Sequence, residues 1–117
     1  MVHRAPQAMI DELVANGSLT AEQGEMALEI PVATDLTAEA DSGGHTDFRP
    51  ALALLPTILT LRDNMQKQYN YSIPLRVGAA GGISTPISAA AAFAMGVAYI
   101  VTGTVNQGCV ESGSSDL

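Results

Sequence analysis

The chain has 117 residues, the length of one small domain, and 47% of them are hydrophobic while 15% are charged. This balance excludes a disordered polypeptide, because disordered chains are poor in apolar groups and rich in charge. Acidic residues outnumber basic ones by 12 to 5, for a net charge of −7. A chain of this charge repels a phosphodiester backbone, so nucleic acid is not an expected partner.

Cysteine content and the apolar segments predict a cytoplasmic protein. The single cysteine, Cys109, cannot close an internal disulfide or supply paired metal ligands, and its apolar surroundings suggest a small buried side chain. The first residues lack the apolar core of a signal peptide. The apolar run at 89–101 is shorter than the roughly 17 to 25 residues that cross a bilayer, so no membrane span is expected.

The N-terminal third predicts a helical hairpin, with helices at 6–15 and 20–29. Thr20 followed three residues later by Gln23 is a capping-box pattern, and Gly17 suits the left-handed end of a helix. Each helix has one narrow apolar stripe and no residues that indicate chemistry. We therefore expect two segments, a hairpin at 1–34 and a second segment at 35–117.

The second segment repeats the order strand, glycine-bearing loop, helix. The apolar pattern predicts strands at 36–40, 75–79 and 97–102, with helices near 56–66 and 86–95. The third strand is apolar on both faces and is expected to be covered on both sides. Such an order favours an α/β fold with parallel strands, because antiparallel neighbours would be joined by tight hairpins.

Proline and glycine residues mark the ends of the two crossover helices. Pro50 or Pro56 sets the first turn of the earlier helix. Thr85-Pro86 places a capping residue before a proline at the first position of the later helix, and Gly96 ends that helix.

Parallel strands with helical crossovers place every strand-to-helix loop at the carboxyl edge of the sheet. The glycine-bearing loops should therefore converge there. An open doubly wound sheet and a (β/α)₈ barrel both have this property, and a barrel takes roughly 250 residues. The chain has room for about three of the eight units of a barrel.

The segment 78–82 and the helix start that follows it predict an anion site. Glycines let backbone N–H groups approach a ligand, and unpaired amides and the dipole at a helix start favour phosphate. The spacing matches neither a dinucleotide fingerprint nor a Walker A loop, and a tight turn is the alternative. Gly103-Thr104 at the end of the next strand favours phosphate, because neighbouring strands bring the two loops side by side.

His45 follows two glycines at the expected end of the first strand. Its ordinary pKa near 6.5 suits proton exchange, and a histidine that only hydrogen-bonds its loop is the alternative. Glu39, Asp41 and Asp47 nearby are candidates for paired acids, with loop capping as the first interpretation of the two aspartates.

Four motifs together carry a resemblance to a known family. They are EADSGGHTD at 39–47, LLPTI at 54–58, VGAAGGI at 77–83 and VTGTVNQ at 101–107. This combination resembles the PfaD-type trans-acting enoyl reductases of polyunsaturated fatty acid and polyketide synthases. That family is similar to the FMN-dependent nitronate monooxygenases, and the hairpin at 1–34 looks like the family's insertion.

The resemblance implies a fold and a set of site residues. The fold would be the C-terminal part, about three βα units, of an FMN-binding TIM (β/α)₈ barrel, preceded by the helical hairpin. His45 matches the histidine that serves nitronate monooxygenases as catalytic base. The glycine-rich motifs imply a cofactor site in which Gly43 and Gly44 pass near the flavin and Gly81, Gly82, Gly103 and Thr104 hold the FMN phosphate.

The resemblance also implies a reaction. NADPH would reduce FMN, hydride would pass to the β-carbon of an enoyl thioester on an acyl carrier protein, and His45 would supply the proton or orient the thioester. The partners would be the synthase and the remainder of the chain's own barrel. A nitronate monooxygenase is the alternative enzyme, although the residues after GGH and GT point away from it. The third possibility is an inactive barrel fragment, and we expect the isolated chain not to turn over substrate.

Overall fold

The computed structural model describes residues 4–40 and 49–113. Two compact units divide the chain: Met1–Thr34 with Asp63–Leu75, and Asp35–Arg62 with Arg76–Leu117. The elements in chain order are α1 (Gln7–Ala15), α2 (Ala21–Glu29), β1 (Asp35–Glu39), α3 (Ala51–Tyr69), β2 (Arg76–Ala80), α4 (Pro86–Ala94), β3 (Tyr99–Val101), α5 (Thr104–Gln107) and a 3₁₀ turn (Val110–Ser112).

The predicted hairpin of the first unit is confirmed. Thr20 Oγ1 accepts a hydrogen bond from the Gln23 amide at 3.2 Å, and Gln23 Oε1 accepts one from the Thr20 amide at 2.9 Å, which completes the capping box. Gly17 has a φ of +77°, as expected for a left-handed helix end. A Cβ at Gly24 would lie 2.9 Å from Val14 Cγ2, so α1 and α2 pack closely here and a larger residue would require the Val14 side chain to shift.

The end of α3, in the same unit, is held by side chains. Gln66 Nε2 donates to the Tyr71 carbonyl, and Gln66 Oε1 accepts from the Leu75 amide, each at 2.9 Å. The Arg4 guanidinium lies 5.3 Å from the centre of the Tyr69 ring and donates to the Leu28 carbonyl. These contacts join the chain segments that make up the unit.

The second unit contains a parallel sheet in the order β1-β2-β3, which confirms the predicted α/β architecture. Thr37, Gly78 and Tyr99 are aligned across the three strands, and Ala38, Ala79 and Ile100 form the next row. Because successive side chains point to opposite faces of a sheet, these rows belong to different faces.

One face of the sheet packs against α3 and α4 and holds the core. Its centre is a cluster of five buried residues contributed by both strands and helices, with partly buried Ile58 and Ile100 packed against it. The cluster consists of Ala38, Leu55, Ala79, Ala92 and Val97. Alanines at three of these positions let the helices approach the strands closely.

We call the opposite side, which carries Asp35, Thr37 and Glu39 of β1, the polar face. Asp35 and Arg76 are paired in register there, and their side chains form a bidentate ion pair with N···O distances of 2.5 and 2.8 Å. In the next row the Tyr99 hydroxyl lies 2.9 Å from Thr37 Oγ1. A Cβ at the intervening Gly78 would lie only 2.1 Å from Tyr99 Cε2, so the ring rests on the β2 backbone.

Of the two prolines predicted to set the first turn of the first crossover helix, Pro50 does so, and the helix is longer than the predicted 56–66. Helix α3 begins at Ala51, and Pro56 lies inside it. The Pro50 carbonyl accepts hydrogen bonds from the Ala53 and Leu54 amides, so Pro50 sets the first turn. Pro56 removes one helical N–H, but the neighbouring Leu55 is only 2% exposed, and its burial favours the continuous helix.

The third strand is shorter and less covered than predicted. It spans Tyr99–Val101, and Val101 is 47% exposed in the part of the chain that the structure describes. Val97 is buried but precedes the strand. Cys109 is exposed, so the expectation of a buried side chain was wrong as well.

The helices of the described ranges do not include one that is both long enough and apolar enough to cross a membrane.

The Asp35–Arg76 pair allows a test of the polar face by pH. The hydrogen bond from Arg76, with its positive charge, holds the pKa of Asp35 below its ordinary value. Because the pKa of Asp35 is lower in the folded than in the unfolded chain, the ionised carboxylate stabilises the fold at pH values above its ordinary pKa, which is near 4. This contribution is lost as the pH falls through the folded-state pKa. We expect Arg76→Gln to raise the pKa of Asp35 in an NMR titration of its carboxyl carbon. An unchanged titration would show that the pair does not form in solution.

Candidate functional site

A cavity of about 520 Å³ lies at the carboxyl ends of the three strands. Its lining comes from the last residues of the strands and from the two loops that follow β2 and β3. These residues are Glu39, Ala80, Gly81, Gly82, Ile83, Ser84, Val101, Gly103, Thr104 and Val105. The predicted convergence of the two glycine-bearing loops is therefore confirmed, while the identity of what they bind stays a prediction.

The loop after β2 owes its course to glycine. Gly81 and Gly82 have φ values of +88° and +69°, a region that other residues rarely adopt. A Cβ at Gly81 would also lie 2.4 Å from the Ala40 carbonyl oxygen. Gly81 is therefore required by the packing of this loop against the end of β1, whether or not a ligand is bound.

The start of α4 differs from the expected row of unpaired amides. The Ser84 and Thr85 amides donate to Ser88 Oγ at 3.2 and 3.1 Å, and the Ser88 amide donates to Thr85 Oγ1 at 3.1 Å. Pro86, at the first helical position, has no N–H. The capping box therefore occupies these three amides, and the anion site expected at Gly81, Gly82, Gly103 and Thr104 stays a prediction.

The loop after β3 is fixed by Asn106. Its Nδ2 donates to the Thr102 carbonyl at 3.0 Å, its Oδ1 accepts from Thr102 Oγ1 at 3.2 Å, and its amide donates to the Gly103 carbonyl at 2.9 Å. These bonds turn the chain into α5, an element absent from the sequence predictions. Asn106 was seen only as part of a motif, although Asn shortly after Gly-Thr is a recognisable turn signal.

Gly103 leaves space within the loop that Asn106 fixes. An added Cβ there would have no atom within 4 Å. In contrast to Gly81, no close contact in the described part of the chain requires a glycine at 103. The cavity thus has a rim where a ligand can approach the backbone closely.

Glu39 was not among the predicted cofactor residues, yet it lines the cavity. It ends β1 on the polar face, next to Ala80 in register. Strand alternation counted from Thr37 would have placed it there, but the face could not be assigned before the strand's position was known. Among the described residues that line the cavity, Glu39 alone is charged.

The remaining predicted site residues, Gly43, Gly44 and His45, lie outside the described residues. Within residues 4–40 and 49–113, no group of three or more His, Cys, Asp or Glu side chains is arranged to hold a metal ion.

Comparison with known proteins shows that the chain is similar to proteins of fatty acid and polyketide biosynthesis. The chain is 50% identical over 117 residues to a polyunsaturated fatty acid synthase subunit of Thraustochytrium sp., and 47% identical over 112 residues to the polyketide biosynthesis protein PksE of Bacillus subtilis. These matches cover 98% and 96% of the chain but 8% and 15% of the relatives. No family model matches the chain.

A solved structure shares the fold of the chain. The enoyl reductase domain of MlnA, from the macrolactin biosynthesis cluster of Bacillus amyloliquefaciens, superposes with a TM-score of 0.85 at 42% identity. The match covers 93% of this chain and 24% of that one. The resemblance to the enoyl reductases of polyunsaturated fatty acid and polyketide synthases is confirmed, and the chain corresponds to a small part of such proteins.

Substitution of Gly81 and of Gly103 should change the stability of the fold by different amounts. We expect Gly81→Ala to lower the free energy of unfolding by about 2 kcal/mol or more, because a side chain there combines a positive φ with a backbone clash. Gly103→Ala should stay within about 1 kcal/mol of the parent chain. Thermal unfolding followed by circular dichroism measures both. Equal losses would mean that the two glycines serve the fold alike.

Proposed function

We propose that the chain forms the phosphate-binding part of an FMN-dependent enoyl reductase of polyunsaturated fatty acid or polyketide biosynthesis. The substrate would be an enoyl thioester on an acyl carrier protein, with NADPH as the source of hydride. One observation carries the proposal: the loops at 81–84 and 103–105 line one cavity at the carboxyl edge of a parallel sheet. The relatives include a protein of polyunsaturated fatty acid synthesis and an enoyl reductase domain.

The three strands would be part of a TIM barrel. In such barrels the ligand lies at the carboxyl ends of the strands, and phosphate is commonly held by late loops. The polar face would then point into the barrel, where side chains from alternate strands fill the interior in layers. Thr37 of β1 and Tyr99 of β3, which meet across Gly78 of β2, have the form of part of such a layer. The remaining strands of the barrel would complete the site.

Each group of residues has a distinct role in this proposal. Backbone N–H groups at Gly81, Gly82, Gly103 and Thr104 hold the phosphate, while Gly43 and Gly44 let the chain pass close to the ring. Bound FMN supplies the hydride transfer that side chains cannot perform. His45 gives a proton to the α-carbon of the thioester or orients its carbonyl.

The phosphate assignment predicts a loss of flavin from loop variants. In the full-length protein, meaning this chain together with the other barrel strands, Gly82→Val and Gly103→Val should abolish retention of FMN, because a branched side chain blocks the backbone from the anion. Flavin absorbance of the purified variants measures this. Stoichiometric FMN in both variants would remove the assignment.

The proposed role of His45 predicts that its variant, unlike the loop variants, keeps the flavin and loses activity. His45→Ala in the full-length protein should keep FMN but slow enoyl reduction by roughly 100-fold or more, the usual scale for a positioned acid or base. NADPH oxidation with an enoyl thioester measures the rate. Unchanged turnover would leave His45 a loop residue that only hydrogen-bonds its neighbours.

Two further possibilities have distinct outcomes in the same preparations. A nitronate monooxygenase would bind FMN and consume oxygen with a nitronate, without any need for an acyl carrier protein. An inert fragment would bind no flavin, even when it is mixed with the other strands. The reductase proposal requires flavin binding and turnover of an enoyl thioester by the full-length protein, and no turnover by the 117-residue chain alone.

A further inference from the structure

Asn106 belongs to the motif at 101–107, but the function proposed above gives it no role. The cavity takes Gly103, Thr104 and Val105 of this loop into its lining and does not take Asn106. Asn106 instead holds the loop through hydrogen bonds from its side chain and its amide. Its influence on the cavity therefore passes through the backbone of the loop.

The hydrogen bonds of Asn106 engage two successive carbonyl groups. Its Nδ2 donates to the Thr102 carbonyl at 3.0 Å, and its amide donates to the Gly103 carbonyl at 2.9 Å. Thr102 Oγ1 donates to Asn106 Oδ1 at 3.2 Å, which keeps Nδ2 turned toward the carbonyl. One residue thus holds two neighbouring peptide groups.

Holding these carbonyls also fixes the direction of the two amides that follow them. In a planar trans peptide group the C=O and the N–H point in opposite directions. The Thr102 carbonyl shares its peptide group with the Gly103 N–H, and the Gly103 carbonyl shares its group with the Thr104 N–H. Both N–H groups therefore point away from the donors of Asn106. Outside the helices and strands, no backbone hydrogen bond among the described residues is donated by either amide.

Gly103 makes this part of the loop dependent on Asn106. A residue without a side chain permits many backbone conformations, and an added Cβ at Gly103 would have no atom within 4 Å. Packing in the described part of the chain therefore does little to keep the peptide group at 102–103 from rotating. Rotation would turn a carbonyl oxygen, which repels an anion, to the place of an N–H, which attracts one.

We propose that Asn106 is a positioning residue that makes the loop after β3 selective for a phosphate group. It does so by holding the Thr102 and Gly103 carbonyls away from the ligand, so that the Gly103 and Thr104 amides are presented to it. The inference rests on the proposed function, which makes FMN the ligand. Asn106 itself does not contact the phosphate.

The substitution Asn106→Ala tests this role, because it removes both side-chain hydrogen bonds without adding a charge, and alanine is favourable in a helix. The apo form of the full-length protein is titrated with FMN and with riboflavin, which has the same ring but no phosphate, by quenching of flavin fluorescence. We expect FMN to bind about tenfold more weakly and riboflavin to stay within about twofold of the parent. A merely structural role of Asn106 would weaken both flavins by the same factor, and that result would overturn the proposal.

Asn16→Ala is the matched control. Asn16 also fixes a loop, because its Oδ1 accepts a hydrogen bond from the Ser18 amide at 3.0 Å, but it belongs to the hairpin and does not line the cavity. Its replacement should leave the ratio of the FMN and riboflavin affinities at the parent value. An equal fall of that ratio in both variants would show that the effect is not specific to the loop after β3 and would overturn the proposal.

A second variant decides the case in which Asn106→Ala does not fold. Thr102→Val keeps the β-branched shape of the side chain and removes the hydroxyl that orients the Asn106 side chain. The ratio of the FMN and riboflavin affinities should fall about threefold, because the bond from Asn106 Nδ2 to the Thr102 carbonyl is weakened but not removed. A ratio equal to that of the parent would contradict the role of Asn106.

Failure of the proposed function gives a different result. If the parent binds neither flavin, or binds FMN no better than riboflavin, the phosphate assignment is lost and the inference on Asn106 is overturned with it. If the parent prefers FMN and Asn106→Ala keeps the same preference, the phosphate assignment stands and only the inference on Asn106 is overturned.

Discussion

The parallel pairing of β1, β2 and β3 is the constraint on which the rest of the second unit depends. It places Glu39, Ala80 and Val101 side by side at the carboxyl ends of the strands. The Ala40 amide donates to the Ala80 carbonyl at 2.9 Å and extends the pairing past the end of β1. The loops that follow β2 and β3 must then start next to each other, and this common start produces the cavity.

The two faces of the sheet differ in a way that suits a larger assembly of strands. On the core face, alanines 38, 79 and 92 let the helices pack on the strands. The polar face carries an ion pair, a tyrosine hydroxyl bonded to a threonine and the Glu39 carboxylate. Inside a barrel, these side chains would be surrounded by other strands, and the ion pair and the tyrosine–threonine contact already have their partners within this sheet. Their pairing here therefore supports the proposed barrel.

Sequence reasoning succeeded where the determining interactions are local. Thr20 with Gln23 and Thr85 with Ser88 form capping boxes within one helical turn, and the first of these was predicted from spacing alone. It failed where longer-range packing decides. The local rule for proline left Pro50 and Pro56 as equal candidates for the start of α3, and the helix that includes Pro56 buries Leu55 in the core. Helix α5 was missed because it has only 4 residues and is set by the side chain of Asn106.

The candidate site could be predicted only in part, because some of its features follow from the order of the elements and others from packing. The convergence of the loops follows from topology, which the order of strands and helices indicates. Strand alternation puts Glu39 on the same face as Thr37, but the sequence does not show which face of β1 the helices cover. The capping of α4 was not predicted either, because it depends on Ser88 Oγ accepting from the Ser84 and Thr85 amides.

Gly81 and Gly103 show how the fold and a ligand can place different demands on the same type of residue. Gly81 lies so close to Ala40 that a side chain there would disrupt the unit without any ligand. Gly103 has open space around the position of a Cβ, so the described contacts give no internal reason for it. Glycine in place of alanine costs about 0.4 to 1 kcal/mol through the entropy of the unfolded chain. Close approach of a ligand to the backbone at Gly103 would offset this cost. In the proposed site Gly103 therefore serves ligand binding, whereas Gly81 primarily serves the fold.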